Sequence, residues 1–82
     1  MDVFPVPTSN FITIDFYSES EADIKYKVSD ILGKVINSGE QTAFIGGTKF
    51  EIDLSREPVG TYMVTLIQDN ISVEKKIIKI KD

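Results

Sequence analysis

The stretch Ala22-Asp23-Ile24-Lys25-Tyr26-Lys27-Val28-Ser29-Asp30 decides the fold, because apolar and polar side chains alternate along it from Ala22 to Ser29. Successive side chains of a β-strand point to opposite faces, so this alternation predicts a strand with one apolar face and one charged face. Such a strand is typical of an antiparallel sheet that packs one face on a core and exposes the other to water.

The same alternation recurs on both sides of this stretch. It predicts strands over residues 11–17, 50–54 and 61–68, whereas no segment shows the period of an amphipathic helix. Turn residues separate these segments: Gly33-Lys34 precedes a short strand over residues 35–37, and Ser38-Gly39 ends it. Further breaks are predicted at Gly46-Gly47, at a crossing loop over residues 55–60 and at a tight hairpin turn, Asp69-Asn70.

The last predicted strand contains a conflict of phase. Ile71 and Val73 have odd numbers, whereas Ile78 and Ile80 have even numbers, and a regular strand cannot bury both pairs on one face. We predict a β-bulge near Lys75-Lys76 that returns Ile78 and Ile80 to the core and leaves the later lysines in water.

Six to seven short strands, turn signals about every 8–12 residues and the lack of a helical pattern predict an all-β protein. The expected architecture is an antiparallel β-sandwich of immunoglobulin-like size, with a small barrel as the alternative. A chain of 82 residues is expected to form a single domain, residues 1–82.

The composition excludes several kinds of chemistry. The chain has no histidine and no cysteine, so it lacks the usual general base near neutral pH, the thiolate nucleophile and the ligands of common zinc sites. Glu51 and Asp53 share the wet face of a predicted strand with Lys49, where nothing would raise a carboxyl pKa, and Ser55 has no base near it in sequence. We therefore expect no catalytic residue, no metal site and no cofactor.

The charge pattern limits the partners. A net charge of −4 disfavours nucleic acid, and no apolar run approaches the roughly 20 residues that span a bilayer. The lysines near the C-terminus have two interpretations: they protect an edge strand from aggregation, or they contact a partner.

Four motifs in a fixed order resemble one known family, the C-terminal sorting domain (type A) of the type IX (Por) secretion system of Bacteroidota. The opening 3–14 resembles the family's aromatic-Pro-Asn-Pro-Thr stretch before a strand, and Asp30-Ile31-Leu32-Gly33-Lys34 resembles its Asp-x-x-Gly-Lys turn. Residues 52–62 are similar to its apolar-Asp-Leu-Ser and Pro-x-Gly-x-Tyr segments, and residues 75–81 to its tail of lysines and aliphatic residues.

The resemblance implies an immunoglobulin-like sandwich that addresses a cargo and performs no chemistry of its own. The implied partners are the outer-membrane translocon, the shuttle and the sortase of the type IX system. The implied location is the periplasm in transit and then the cell surface or the medium, and the cargo itself is absent from the chain. The oligomeric state of the isolated domain stays open.

The candidate residues fall into two groups. The expected translocon contacts are Lys76, Ile78, Lys79, Ile80, Lys81, Gly33 and Lys34. Expected to shape the fold are the motif residues Pro5, Pro7, Asp30, Ser55, Pro58, Gly60 and Tyr62. The competing function is a surface adhesion or carbohydrate-binding sandwich, which would need a row of outward aromatics, and only Tyr17 and Phe44 are expected to point outward.

Overall fold

A computed structural model of the chain describes residues 1–81. Over these residues the chain is all-β, with seven strands and no helix. The strands are β1 (Asp2–Phe4), β2 (Phe11–Ser18), β3 (Ala22–Asp30), β4 (Val35–Ala43), β5 (Gly46–Asp53), β6 (Gly60–Gln68) and β7 (Ile71–Lys79). The alternating stretch that decides the fold is β3, with the bounds that the sequence predicts.

The strands form two antiparallel sheets. Sheet A has the order β1-β2-β5 and sheet B has the order β4-β3-β6-β7. The chain crosses between the sheets three times, after β2, after β4 and after β5. Two separate sheets make the fold a sandwich rather than a small barrel.

The core lies between the facing sides of the two sheets. Sheet A supplies Ile12, Ile14 and Ile52, and sheet B supplies every second residue of β3 and β6 together with Ile77 of β7. At the margin of the core the rings of Tyr26 and Phe50 lie 5.3 Å apart, tilted by 42°. Burying each large aliphatic side chain contributes about 1.5–3 kcal/mol, so this shared face is the main driving force for the fold.

The strand β4 is longer than the sequence predicts. The predicted end at Ser38-Gly39 is wrong, because β4 continues through Gly39 to Ala43. Gly39 pairs with Tyr26, and a Cβ atom on Gly39 would lie only 2.6 Å from Tyr26 Oη and 2.8 Å from Cζ. The glycine therefore makes room for an aromatic ring and does not end the strand.

The predicted bulge in β7 is also wrong. The pairing of β6 with β7 is unbroken from Gln68 and Ile71 to Gly60 and Lys79. Ile77 and Lys79 point to the buried side, whereas Ile78 and Ile80 are 42% and 43% exposed. The side chains of β7 therefore alternate between the two faces without a change of phase. The inner position that follows Ile77 is filled by the aliphatic stem of Lys79. The register shift that does occur is between Val28 and Ser29, where β3 pairs with β4.

The segment between β1 and β2 joins the two sheets at one edge. The peptide bonds before Pro5 and Pro7 are cis, and Thr8 then lies parallel to Lys79 at the edge of sheet B. The Thr8 N–H donates to the Ile78 carbonyl at 2.9 Å, and the Ile80 N–H donates to the Thr8 carbonyl at 2.8 Å. We call this contact the Thr8 strap.

Candidate recognition surface

The turn between β3 and β4 is organised by the carboxylate of Asp30. The backbone N–H groups of Leu32 and Lys34 both donate to Asp30 Oδ1, each at 2.9 Å. The Gly33 N–H donates to the Asp30 carbonyl at 3.0 Å, and Gly33 adopts a positive φ of 85° that favours glycine. The Asp-x-x-Gly-Lys spacing is therefore the spacing that this turn requires.

A groove brings two of the candidate motifs together. Gly33 from the β3–β4 turn and Lys76 from β7 both line it, although 43 positions separate them in the sequence. Its volume is about 340 Å³, and the rest of its lining comes from Asp30, Ile31, Thr61, Tyr62 and Met63. Lys34 follows Gly33 in the β3–β4 turn and is exposed, but it is not one of the residues that line the groove. The lining combines apolar side chains with one acidic and one basic residue, Asp30 and Lys76.

The tip of the same turn carries two aliphatic side chains that nothing covers within residues 1–81. Ile31 is 78% exposed and Leu32 is 88% exposed. The hydrogen bonds and the positive φ of the turn involve the side chain of Asp30 and the backbone of Gly33. The fold therefore does not explain why Ile31 and Leu32 are apolar. Sequence reasoning missed both residues as candidates. The available signal was two aliphatic side chains between the aspartate and the glycine of a turn, where polar residues are usual.

The other predicted contacts lie along the end of β7. Ile78, Ile80 and Lys81 are exposed, and Ile78 pairs with Thr61 of the groove lining. Lys79 is different, because it is only 7% exposed and its ammonium group donates to the Glu57 carbonyl at 2.6 Å. The ammonium group of Lys79 is therefore engaged inside the domain, in contrast to the exposed Lys76 and Lys81.

The Pro-x-Gly-x-Tyr segment builds a tyrosine corner. The Tyr62 ring is buried, and its hydroxyl donates to the Pro58 carbonyl at 2.5 Å. A tyrosine that bonds back to the backbone just before its own strand is a hallmark of immunoglobulin-like sandwiches. Burial raises the pKa of Tyr62 above its ordinary value, and the negative charges of Glu57 and Asp30 raise it further. Gly60 opens β6 directly after this loop.

The acidic side chains of sheet A offer no catalytic arrangement. Glu51 and Asp53 are exposed on the outer face of β5 together with Lys49. The hydroxyl and the backbone N–H of Ser55 lower the pKa of Asp53, and the N–H donates to Asp53 Oδ1 at 2.8 Å. The carboxylate is therefore stabilised in its charged form, which is the opposite of what a general acid needs.

The described residues provide neither a metal-binding cluster nor a membrane-spanning helix. Between residues 1 and 81, no group of three or more histidine, cysteine, aspartate or glutamate side chains is placed to hold a metal ion. No helix in that part of the chain is long and apolar enough to cross a membrane.

The exposed aromatic side chains do not form a row. Tyr17 and Phe44 point outward, as the sequence predicts, but Phe4 and Phe11 are also more than 40% exposed, so the expectation of only two was wrong. Phe4 pairs with Thr13, which makes it a diagonal neighbour of Phe11 on the outer face of sheet A. Tyr17 lies six residues further along β2, about 20 Å away. This spacing is poorly suited to stacking on consecutive sugar rings.

The chain is thus an all-β sandwich in which two motifs that are distant in sequence meet at one groove. A family model described as the secretion system C-terminal sorting domain matches residues 2–81. The chain therefore belongs to the secretion system C-terminal sorting domains, and it is a C-terminal secretion signal of the type IX system. The comparison with curated proteins found no match.

Proposed function

We propose that the chain is a non-catalytic secretion signal. It directs a cargo protein through the type IX system, across the outer membrane and to the cell surface or the medium. The cargo would be joined on the N-terminal side, and the whole domain would act as one unit. The proposed partners are the outer-membrane translocon, the shuttle and the sortase, which the domain would meet in the periplasm and on leaving it. The sortase could remove the domain after transport.

The single observation that carries this proposal is the meeting of Gly33 and Lys76 at one groove. Two motifs that are far apart in sequence form one surface only when the domain is folded. A partner that reads this surface would therefore bind the folded domain and ignore an unfolded tail.

The proposed recognition surface is the exposed end of the sandwich around this groove. It comprises the β3–β4 turn, the groove and the exposed end of β7, which are Gly33, Lys34, Lys76, Ile78, Ile80 and Lys81. Lys79 would contribute indirectly, because its hydrogen bond to Glu57 holds the end of β7 in place. Ile31 and Leu32 would add apolar contacts, since exposed aliphatic side chains beside a groove are typical anchors of an interface.

A fusion experiment tests the function. The chain is attached to the C-terminus of a periplasmic reporter in a Bacteroidota host with and without an intact translocon. We expect the reporter outside the outer membrane only in the intact host. Retention of the folded fusion in the periplasm of the intact host would contradict the proposal.

A further inference from the structure

The edge of sheet B along β7 has a closed part and an open part. In the pairing with β6, the backbone N–H and carbonyl groups of the odd-numbered residues of β7 point toward β6. This phase follows because Ile71 forms the hydrogen-bonded pair with Gln68 that closes the two-residue hairpin. The backbone groups of even-numbered residues therefore point away from the sheet. The Thr8 strap agrees with this alternation, since it uses the carbonyl of Ile78 and the N–H of Ile80.

The strap cannot extend further along the edge. Pro7 precedes Thr8 and has no N–H to donate, and Pro5 lies two residues before it. The outward N–H and carbonyl groups of Ser72, Glu74 and Lys76 consequently have no main-chain partner among residues 1–81. They form an open slot that spans residues 71–76, about 20 Å in length.

We infer that this open slot on β7 docks an extended, acidic segment of a protein of the secretion machinery, which adds to sheet B as a further strand. The inference rests on the proposed function and deepens it. Strand addition of this kind gains affinity from main-chain hydrogen bonds and specificity from the flanking side chains. The slot adjoins the groove, because Lys76 belongs to both.

The acidic character of the partner follows from the charges on the free edges. Lys75 and Lys76 are exposed on opposite faces of β7, with Glu74 as the one acid of the slot. The free edge of β4 carries one charge, Glu40, and that of β1 carries one, Asp2. The edge strand β5 carries Lys49 with Glu51 and Asp53, so each of these three edges has a net negative charge. An acidic segment would therefore be attracted to β7 and disfavoured at the other three edges.

The fold itself shows that this edge accepts a strand. Thr8 already adds to β7 in parallel, directly beyond the end of the slot. Lys75 and Lys76 would attract the acidic segment. They would also discourage pairing with neutral strands of other chains, as lysines on edge strands do.

A proline substitution tests the slot. Glu74→Pro removes an outward N–H without removing a donor from the pairing with β6, and Glu74→Ala keeps the N–H while removing the same carboxylate. The matched control is Glu40→Pro, because Glu40 pairs with Lys25 at a position of β4 whose N–H also points away from its sheet. Export of the reporter fusion and thermal unfolding are measured for all variants.

We expect Glu74→Pro to lower export about tenfold, as the loss of one interfacial hydrogen bond does. Glu74→Ala should be exported at least as well as the unsubstituted fusion, because it keeps the N–H and removes a charge that repels an acidic segment, and Glu40→Pro should be exported like the unsubstituted fusion. Export of Glu74→Pro at the unsubstituted level would contradict docking at the slot and would leave the proposed secretion-signal function unaffected. Failure of the unsubstituted fusion to be exported would instead overturn the proposed function and the slot with it.

A crosslinking experiment decides the matter if Glu74→Pro does not fold. A photoreactive residue is placed at Ser72 of the slot or at Ser38, which points outward from the edge of β4. We expect a crosslink from position 72 that disappears in the host without the translocon, and none from position 38. Equal crosslinking from both positions, or none from position 72 during export, would overturn the slot.

Discussion

The ammonium group of Lys79 donates a hydrogen bond to the carbonyl oxygen of Glu57 at 2.6 Å, across 22 positions of the sequence. Lys79 ends β7, and Glu57 lies in the loop that leads into β6. This bond connects the C-terminal strand to the loop that carries the tyrosine corner. It explains how a lysine can occupy the inner face of an edge strand.

Replacing Lys79 with methionine should destabilise the domain. Lys79→Met keeps the aliphatic stem and removes the bond to Glu57, so we expect a loss of about 1 kcal/mol in the free energy of unfolding. The matched control is Lys75→Met on the same strand, where the lysine is exposed and little should change. Equal unfolding midpoints in urea for the two variants would contradict this role of Lys79.

Removing the carboxylate of Asp30 should loosen the β3–β4 turn. Asp30→Ala leaves the N–H groups of Leu32 and Lys34 without their acceptor, and we expect a loss of about 1–2 kcal/mol. Asp30→Asn keeps one acceptor oxygen and should lose less. Hydrogen exchange of the two amides provides the measurement, and unchanged protection in Asp30→Ala would refute the assignment.

Adding a methyl group to Gly39 should disturb the Tyr26 ring. The new Cβ would lie 2.6 Å from Tyr26 Oη, and the ring is held against Phe50, so we expect Gly39→Ala to cost about 1–3 kcal/mol. Gly47→Ala is the control, because no atom lies within 4 Å of a Cβ at that position. In a Tyr26→Ala background the cost of Gly39→Ala should largely vanish, and an undiminished cost would show that the ring is not the cause.

The raised pKa of Tyr62 predicts how stability changes in alkaline solution. The unfolded chain loses the phenolic proton near its ordinary value of 10.0, whereas the folded domain keeps it to higher pH. The folded state then binds more protons, so the free energy of unfolding falls as the pH rises above about 10. Tyr62→Phe should remove this contribution to the slope, with Tyr17→Phe as the exposed control. Parallel curves for the unsubstituted protein and Tyr62→Phe between pH 9 and 11 would contradict it.

The sequence predicts β3 well because its alternation is complete and its ends carry turn residues. The Asp69-Asn70 hairpin is confirmed for the same local reason, since Asp69 takes the left-handed conformation with a φ of 54°. The wrong predictions concern strand ends and side-chain burial that depend on a contact with a residue far away in the sequence. The length of β4 depends on the Tyr26 ring over Gly39, and the burial of Lys79 depends on a carbonyl 22 positions away.

The candidate surface was predictable only in part. The motifs identify Gly33 and Lys76, but their meeting at one groove depends on the pairing of β3 with β6 and of β6 with β7. Ile31 and Leu32 were missed because the alternation of a strand says nothing about residues at the tip of a turn. The sequence also cannot show that Thr8 occupies the end of the β7 edge, because that contact joins opposite ends of the chain.

The most direct test of the account measures the fraction of a reporter outside the outer membrane when its C-terminal sorting domain carries two reversed charges. In one variant Lys76→Glu reverses a charge that lines the groove and Lys34→Glu reverses an exposed charge of the adjoining β3–β4 turn. In the control, Lys25→Glu and Lys27→Glu reverse two exposed charges on β3. The recognition surface predicts that the first variant stays folded in the periplasm while the control is exported like the unsubstituted domain. Normal export of the first variant, or equal loss in both, would contradict it.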